Sequence, residues 1–283
     1  MTPAASQAPI GMFDSGVGGL SVLAALREEL PGEDCLYLAD SAHAPYGERG
    51  EAFVIARSLA IGRLLVQQHG AKALVVACNT ATAAAVEQLR AAWPNMPVVG
   101  VEPAIKPAVQ TSRTGRVGVL ATRGTVASAR FRRLLQAHGR GVGLAVQACD
   151  GLAHAIESSA EGGKAGAAAR QRVLELCAHY TARLGAFGEE PGNIDTLVLG
   201  CTHYVFARDA LRQLLGEEVR LIDTGVPVAR QTRRMLAARG LLREGPATPG
   251  RLRLWTTGEL AALQAAARHW LGLPASACAK VQA

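Results

Sequence analysis

Short apolar runs that close on small or polar residues alternate along this chain with longer stretches whose apolar positions recur every three to four residues. The first pattern predicts strands buried on both faces and the second predicts helices that cover them, the arrangement of βα units in parallel sheets. Candidate strands are IGMFD (10–14), CLYLAD (35–40), ALVVAC (73–78), PVVGV (97–101), RVGVLA (116–121), GLAVQAC (143–149), TLVLGC (196–201) and VRLID (219–223). Helical spacing is carried by GLSVLAALREEL (19–30), FVIARSLAIGRLLVQQHG (53–70), ATAAAVEQLRAAW (81–93), SARFRRLLQAHG (128–139) and RQRVLELCAHYTARL (170–184), several of them stopped by Gly or Pro.

The two halves of this series resemble one another. ALVVAC is followed by NT, a helix and the strand of VVGVEPA, while TLVLGC is followed by TH, a helix and the strand of VRLIDTG; IGMFDSGVGG at the front corresponds to VGVLATRGTVAS. At 283 residues the chain has room for two domains of about 100 to 150 residues each. The expected fold is therefore two pseudo-symmetric three-layer α/β domains with mostly parallel sheets and the active site in the cleft between them. Residues 1–103 and 226–283 form the first domain and 104–225 the second, the last stretch returning to the first domain.

Composition narrows the class. Half of the residues are hydrophobic but only 4% aromatic, so the core is built from Ala, Val and Leu, and disorder is excluded. No basic segment precedes an apolar stretch at the start and no apolar run approaches membrane-spanning length, so neither a secretion signal nor a membrane span is expected, and the location expected is cytoplasmic. Six cysteines lie far apart with no CxxC pair, which argues for reduced thiols and against a zinc site or a disulfide framework. The net charge of +7 raises the question of a nucleic-acid partner, but four of the thirty basic residues are Lys and the arginines are spread through the helices. The densest group is Arg230, Arg233 and Arg234, so the charge reads as a solvated face and nucleic acid is not the expected partner.

The candidate chemistry lies at strand ends. Cys78 and Cys201 occupy matched positions in the two halves, each closing a strand and opening a helix, at the carboxyl edge where open α/β sheets bind ligands. A single cysteine there is commonly just core, but a matched pair with polar neighbours Asn79, Thr80, Thr202 and His203 is not. The helix N-terminus is expected to favour the thiolate, and Thr80 and Thr202 are expected to cap the helices. Two thiols facing each other across a cleft suit inversion of a carbon centre, in which one group removes a proton from one face and the other delivers a proton to the opposite face. DSGVGG superficially resembles a nucleotide loop but does not satisfy GxGxxG. Its glycines are expected to let backbone amides approach a carboxylate. Asp14 reads as a helix cap or as a group that orients Cys78, and His203 as a hydrogen-bond partner for a thiol. Tyr46 and Gly47 offer a phenol and an amide from a turn. Glu157 would ordinarily be a surface charge.

With these segments assembled, FDSGVGGLSVL (13–23), DSAHAPYG (40–47), ACNTATA (77–83), GVEPAIKPA (100–108), LATRGTVAS (120–128), GCTHY (200–204) and LIDTG (221–225) resemble, in order and over nearly the whole chain, the motifs of the cofactor-independent aspartate/glutamate racemase family. The resemblance implies interconversion of L- and D-glutamate for peptidoglycan synthesis, with no pyridoxal phosphate and no metal. It implies that Cys78 takes the proton from D-glutamate and Cys201 from L-glutamate, that Asp14 and His203 assist the cysteine on their own sides, and that Glu157 stands behind His203. By matching motif it also implies that Asp14, Ser15, Tyr46, Gly47, Asn79, Thr80, Thr202 and His203 contact the substrate. The chain departs from the family pattern at Cys149–Asp150, where Cys-Pro is usual, and at Val205–Phe206, where Pro and Leu are frequent and a packing difference is expected. The segment 161–173 reads as a variable helix or loop. An aspartate racemase, and a non-catalytic binding protein such as a basic inhibitor of a DNA-handling enzyme, are the alternative readings. Oligomeric state is left open, a homodimer included.

Overall fold

The computed structural model describes residues 4–243 and 248–283. Its strands are β1 (Ile10–Asp14), β2 (Cys35–Ala39), β3 (Ala73–Val76), β4 (Val98–Gly100), β5 (Arg116–Ala121), β6 (Gly143–Ala148), β7 (Thr196–Gly200), β8 (Arg220–Ile222), β9 (Leu252–Thr256) and β10 (Cys278–Lys280). The helices are α1 (Ala4–Gln7), α2 (Leu20–Glu29), α3 (Glu51–Arg63), α4 (Asn79–Ala92), α5 (Ile105–Thr111), α6 (Arg123–Ala127), α7 (Ala129–His138), α8 (Leu152–Ser159), α9 (Gly163–Ala182), α10 (Arg208–Leu215), α11 (Gly225–Ala237) and α12 (Leu260–Leu271). Segment 161–173, expected to be helix or loop, lies mostly within the long α9.

One sheet has the order β10-β9-β2-β1-β3-β4 and the other β6-β5-β7-β8, and every pairing is parallel. The series β2-β1-β3-β4 and β6-β5-β7-β8 are the same topology, so the duplication suggested by the sequence is a duplication of structure. Register carries it to single residues. Phe13 pairs with Val76 in one sheet and Leu120 with Leu199 in the other, which aligns Cys78 with Cys201, Ser15 with Thr122 and Asp14 with Ala121.

Both faces of each sheet are covered, as the continuous apolar strands require. In the first sheet Ile10, Met12, Ala73 and Val75 pack with α2, α11 and α12 through Leu23, Leu26, Val228, Leu236 and Leu263. Phe13, Leu38, Leu74 and Val76 face α3 and α4 through Val54, Ile61, Val86 and Leu89. In the second sheet Leu197 and Leu199 pack with α8, α9 and α10, while Val117, Val119 and Val198 face α5 and α7. After β8 the chain returns to the first sheet. A Cβ at Gly225, the first residue of α11, would lie 3.2 Å from Ala25 Cβ, so α11 starts hard against α2.

Strands β9 and β10 lie outside the eight expected from sequence. β9 runs beside β2 near the sheet edge, where Arg253 can reach solvent, and its apolar run is shorter than those of the inner strands. Asp34 anchors this return by accepting hydrogen bonds from the Arg251 backbone N–H (2.7 Å) and the Arg243 guanidinium (3.0 Å).

Phe206, at the position where leucine was the family expectation, stacks on Trp270 of α12 with ring centroids 3.9 Å apart and planes 6° from parallel. Both rings pack against the α2 side of the first sheet and the α8 side of the second. Trp270→Ala is expected to cost about 2 to 3 kcal/mol, somewhat less than loss of a fully buried ring, as measured by denaturant unfolding.

Candidate functional site

The carboxyl ends of β1, β3, β5, β6 and β7 all open onto one cavity of about 360 Å³. Every residue singled out from the sequence lines it: Asp14, Ser15, Tyr46, Gly47, Cys78, Asn79, Thr80, Glu157, Cys201, Thr202 and His203. Both sheets contribute, so the cavity is the cleft between the two halves, and one thiol comes from each.

On the first side Asp14 ends β1 fully buried. The chain turns so that its carboxylate accepts the N–H of Ser15 and of Gly19, each at 2.6 Å, and the Thr202 hydroxyl at 3.3 Å from the other half. Burial raises the Asp14 carboxyl above its ordinary value against the opposing pull of His203, the Cys78 thiol and the Gly19 amide. Cys78 donates to Ser15 Oγ at 3.7 Å and receives the Ala81 N–H at 3.4 Å. The helix N-terminus was expected to favour the thiolate here. Burial, with the Asp14 carboxylate next, instead pushes the Cys78 thiol well above its ordinary value, and the amides of Ala81 and Ser15 do not compensate.

The second side is a relay. Cys201 Sγ lies 3.6 Å from His203 Nδ1, and His203 Nε2 lies 2.7 Å from Glu157 Oε1. Glu157, a surface charge by ordinary sequence rules, is thus drawn inward by the histidine, as the resemblance implied. Burial opposes charge on the His203 ring, but its hydrogen bonds to Cys201 and Glu157 outweigh that cost and raise its pKa well above the usual imidazole value. Burial likewise works against the Glu157 carboxylate, yet His203 and the Val17 amide bring its pKa below the usual glutamate value.

Several local expectations are corrected. The N-cap of α4 is Cys78 itself, and Thr80 turns to Thr122, Oγ1 to Oγ1, at 2.9 Å. Cys201 is followed by a 3₁₀ segment, Thr202–Ala207, instead of an α-helix, and Thr202 bonds Asp14 in place of capping. The carboxylates approached by the glycine-loop amides belong to the protein: Asp14 takes the Gly19 N–H and Glu157 the Val17 N–H. The Tyr46 phenol donates to Asp40 at 2.6 Å. Asp40 also accepts from Arg57 (2.8 and 3.0 Å) and Thr257 (2.9 Å), a hub that fixes the turn holding Gly47 over the cavity.

Other lining residues were not assigned to the site from sequence, Thr122, Cys149 and Arg123 among them. Thr122 is the counterpart of Ser15 in the duplicated unit, a signal present in the matched segments IGMFDSG and VGVLATRG. Cys149 holds the place after β6 that Asp40 holds after β2, and Arg123 pairs with Asp150 at the rim. Asn79 is the clearest sign of a ligand. Its amide nitrogen and oxygen are both buried without a hydrogen-bond partner, which a native site tolerates where a bound polar group completes them. Among the described residues no cluster of three His, Cys, Asp or Glu side chains could hold a metal ion, and no helix is long and apolar enough to cross a membrane.

Comparisons with known proteins agree with this geometry. Residues 11–232 match the profile of the family described as Asp/Glu/Hydantoin racemase. A glutamate racemase of Ectopseudomonas mendocina is 48% identical over 267 residues, covering 94% of this chain and 96% of that protein. The crystal structure of a glutamate racemase isoform of Bacillus anthracis superposes with a TM-score of 0.83 at 31% identity, covering 98% of both chains. The glutamate racemase of Escherichia coli, solved with L-glutamate and the activator UDP-MurNAc-Ala, gives 0.74 at 32% identity, covering 91% of this chain and 93% of that one.

The His203–Glu157 pair gives stability a predictable pH dependence. The raised histidine contributes fully below its unfolded value, about 6.5, and loses that contribution as pH rises through its folded value. The lowered glutamate contributes above about 4.3 and loses its share as pH falls through its folded value. The stability deficit of Glu157→Gln, followed by denaturant unfolding across pH, is expected to be greatest between those limits and to shrink on either side.

Proposed function

The chain belongs to the Asp/Glu/Hydantoin racemase family, and from that membership and the paired thiols of one cleft we propose that it is a glutamate racemase. The observation that carries the reading is the presence of Cys78 and Cys201 in one cavity, each presented by the same point of a duplicated fold. Inversion at Cα needs a base on one face and an acid on the other, and these thiols are the groups available on opposite halves.

In the direction from L- to D-glutamate the Cys201 thiolate removes the Cα proton and becomes a thiol. The electron pair spreads onto the α-carboxylate, and the Cys78 thiol delivers its proton to the opposite face and becomes a thiolate. The reverse direction exchanges the roles. His203, backed by Glu157, balances charge at Cys201, while Asp14 stands beside Cys78. Burial and then the Asp14 carboxylate hold the Cys78 thiol up; the substrate ammonium offsets the carboxylate's share, so that the substrate helps to ionise the group that acts on it. The unpaired Asn79 amide, with the hydroxyls of Ser15, Thr80 and Thr202 and the Gly47 backbone, supplies fixed dipoles for the two substrate carboxylates. Thr122 joins that set through Thr80. The chemistry assigned to these residues calls for no added cofactor.

The reading includes two domains, residues 1–103 with 226–283 and residues 104–225, each carrying one thiol and closing over the substrate. It also includes a cytoplasmic location, where the thiols stay reduced, and the supply of D-glutamate for peptidoglycan. A homodimer is compatible with it.

Purified protein incubated with L-glutamate in heavy water, without added cofactor, is expected to lose optical rotation and the Cα proton signal, with deuterium appearing first in the D product. Exchange of aspartate alone would move the substrate and keep the chemistry, and silence with both would leave a binding role. Cys78→Ser and Cys201→Ser are each expected to lower racemisation by roughly 10² to 10⁴-fold, the span of general acid–base contributions. Full activity in either variant would defeat the two-thiol mechanism.

A further inference from the structure

The two thiols are matched by topology but not by what surrounds them. In the register that aligns Cys78 with Cys201, Asp14 aligns with Ala121 and Thr80 with His203. Ser15, Ala81 and Asp14, the groups about Cys78, all come from its own half. The Cys201 relay is instead held from across the cleft. The N–H of Val17 donates to Glu157 Oε1 at 2.9 Å, and the N–H of Gly18 donates to His203 Nε2 at 3.1 Å. The loop fits these side chains so closely that a Cβ at position 16 would stand 1.9 Å from Glu157 Oε1, and one at position 18 would stand 2.3 Å from His203 Nδ1. Ser21, in the first turn of α2, completes the contact. Its hydroxyl lies 2.9 Å from the Gly18 carbonyl and 3.0 Å from the Thr202 carbonyl, tying the loop to the peptide that carries His203.

His203 Nε2 therefore faces one donor and one acceptor. The Gly18 amide favours the neutral ring, whose Nδ1–H then points at Cys201, and the Glu157 carboxylate favours the imidazolium. Contacts from the opposite half thus bear directly on the ring that serves Cys201, whereas the Cys78 side receives from the other half one longer bond, the Thr202 hydroxyl on Asp14 at 3.3 Å.

Resting on the racemase reading above, we propose that Ser21, together with the Val17 and Gly18 amides, forms a positioning clamp that acts chiefly on the Cys201 side of the reaction. The loop enables Cys201 only when the two halves are apposed, whereas the setting of Cys78 is largely complete within one half. Ser21 touches no reacting atom and works through Thr202, Gly18 and His203.

Isotope effects separate this from a structural role. With α-deuterated L-glutamate the label is removed by Cys201, and with α-deuterated D-glutamate by Cys78. Ser21→Ala is expected to lower kcat roughly two- to tenfold, the loss of one shared hydrogen bond, with KM little changed. The primary deuterium effect on kcat/KM is expected to rise for L-glutamate and fall for D-glutamate. Gly18→Ala, which displaces the His203 ring, is expected to shift the pair further in the same direction if it folds. Equal movement of both isotope effects, or a fall in Tm and kcat with their ratio unchanged, would overturn the clamp while leaving the racemase assignment intact. A wild-type protein inert toward glutamate would instead overturn the assignment, and the clamp with it.

Discussion

Two sheets with independent cores share a working cleft only if something fixes their strand ends face to face, and in this protein that constraint is the contact of a bare backbone loop with two ionisable side chains. Residues 16 to 18 press onto Glu157 and His203. The glycines give the closeness, since side chains there would occupy the space of the relay, and the amides give direction by supplying donors to partly or fully buried acceptors. The Phe206–Trp270 stack adds an apolar seam between the same halves. The cavity and the pairing of the thiols follow from this apposition.

The duplication explains why there are two thiols, and its lapses explain why they differ. A thiol buried next to a carboxylate and a thiol next to an imidazole and carboxylate pair stand in different chemical settings, although the strands delivering them are topological copies. A racemase that handles mirror-image substrates has no need of mirror-image groups. It needs each proton transfer to be feasible from its own side, and the fold meets that requirement by two separate routes.

Much of this was legible in the sequence. Eight strands, the α/β class, the duplication and the thiols rest on apolar runs ending at small or polar residues, a signal that depends on a few neighbouring positions. What escaped depends on distant ones. β9 was missed because Arg253 interrupts its apolar run, and β10 because it is three residues long and largely exposed at the sheet edge. The Cys78 thiol was expected to be acidic from the helix beside it, a local effect that burial and Asp14 override. The threonines read as caps serve contacts between the halves, Thr80 with Thr122 and Thr202 with Asp14, which no local rule supplies. Glu157 needed its histidine, 46 positions away, to become more than a surface charge.

The placement of β9 bears on the order in which the molecule assembles as it is made. The second sheet uses strands from one continuous stretch, residues 116 to 222, and can pair as soon as that stretch has left the ribosome. The first sheet cannot be finished then: β2 waits for β9, whose partner for Cys35 is Leu252, and Asp40 waits for Thr257 to complete the hub beneath the Tyr46–Gly47 turn. Contacts this far apart in the chain are slow to close. The half that emerges first is thus the one completed last, and the substrate cleft takes its final shape only after the second half has a finished sheet to set against it.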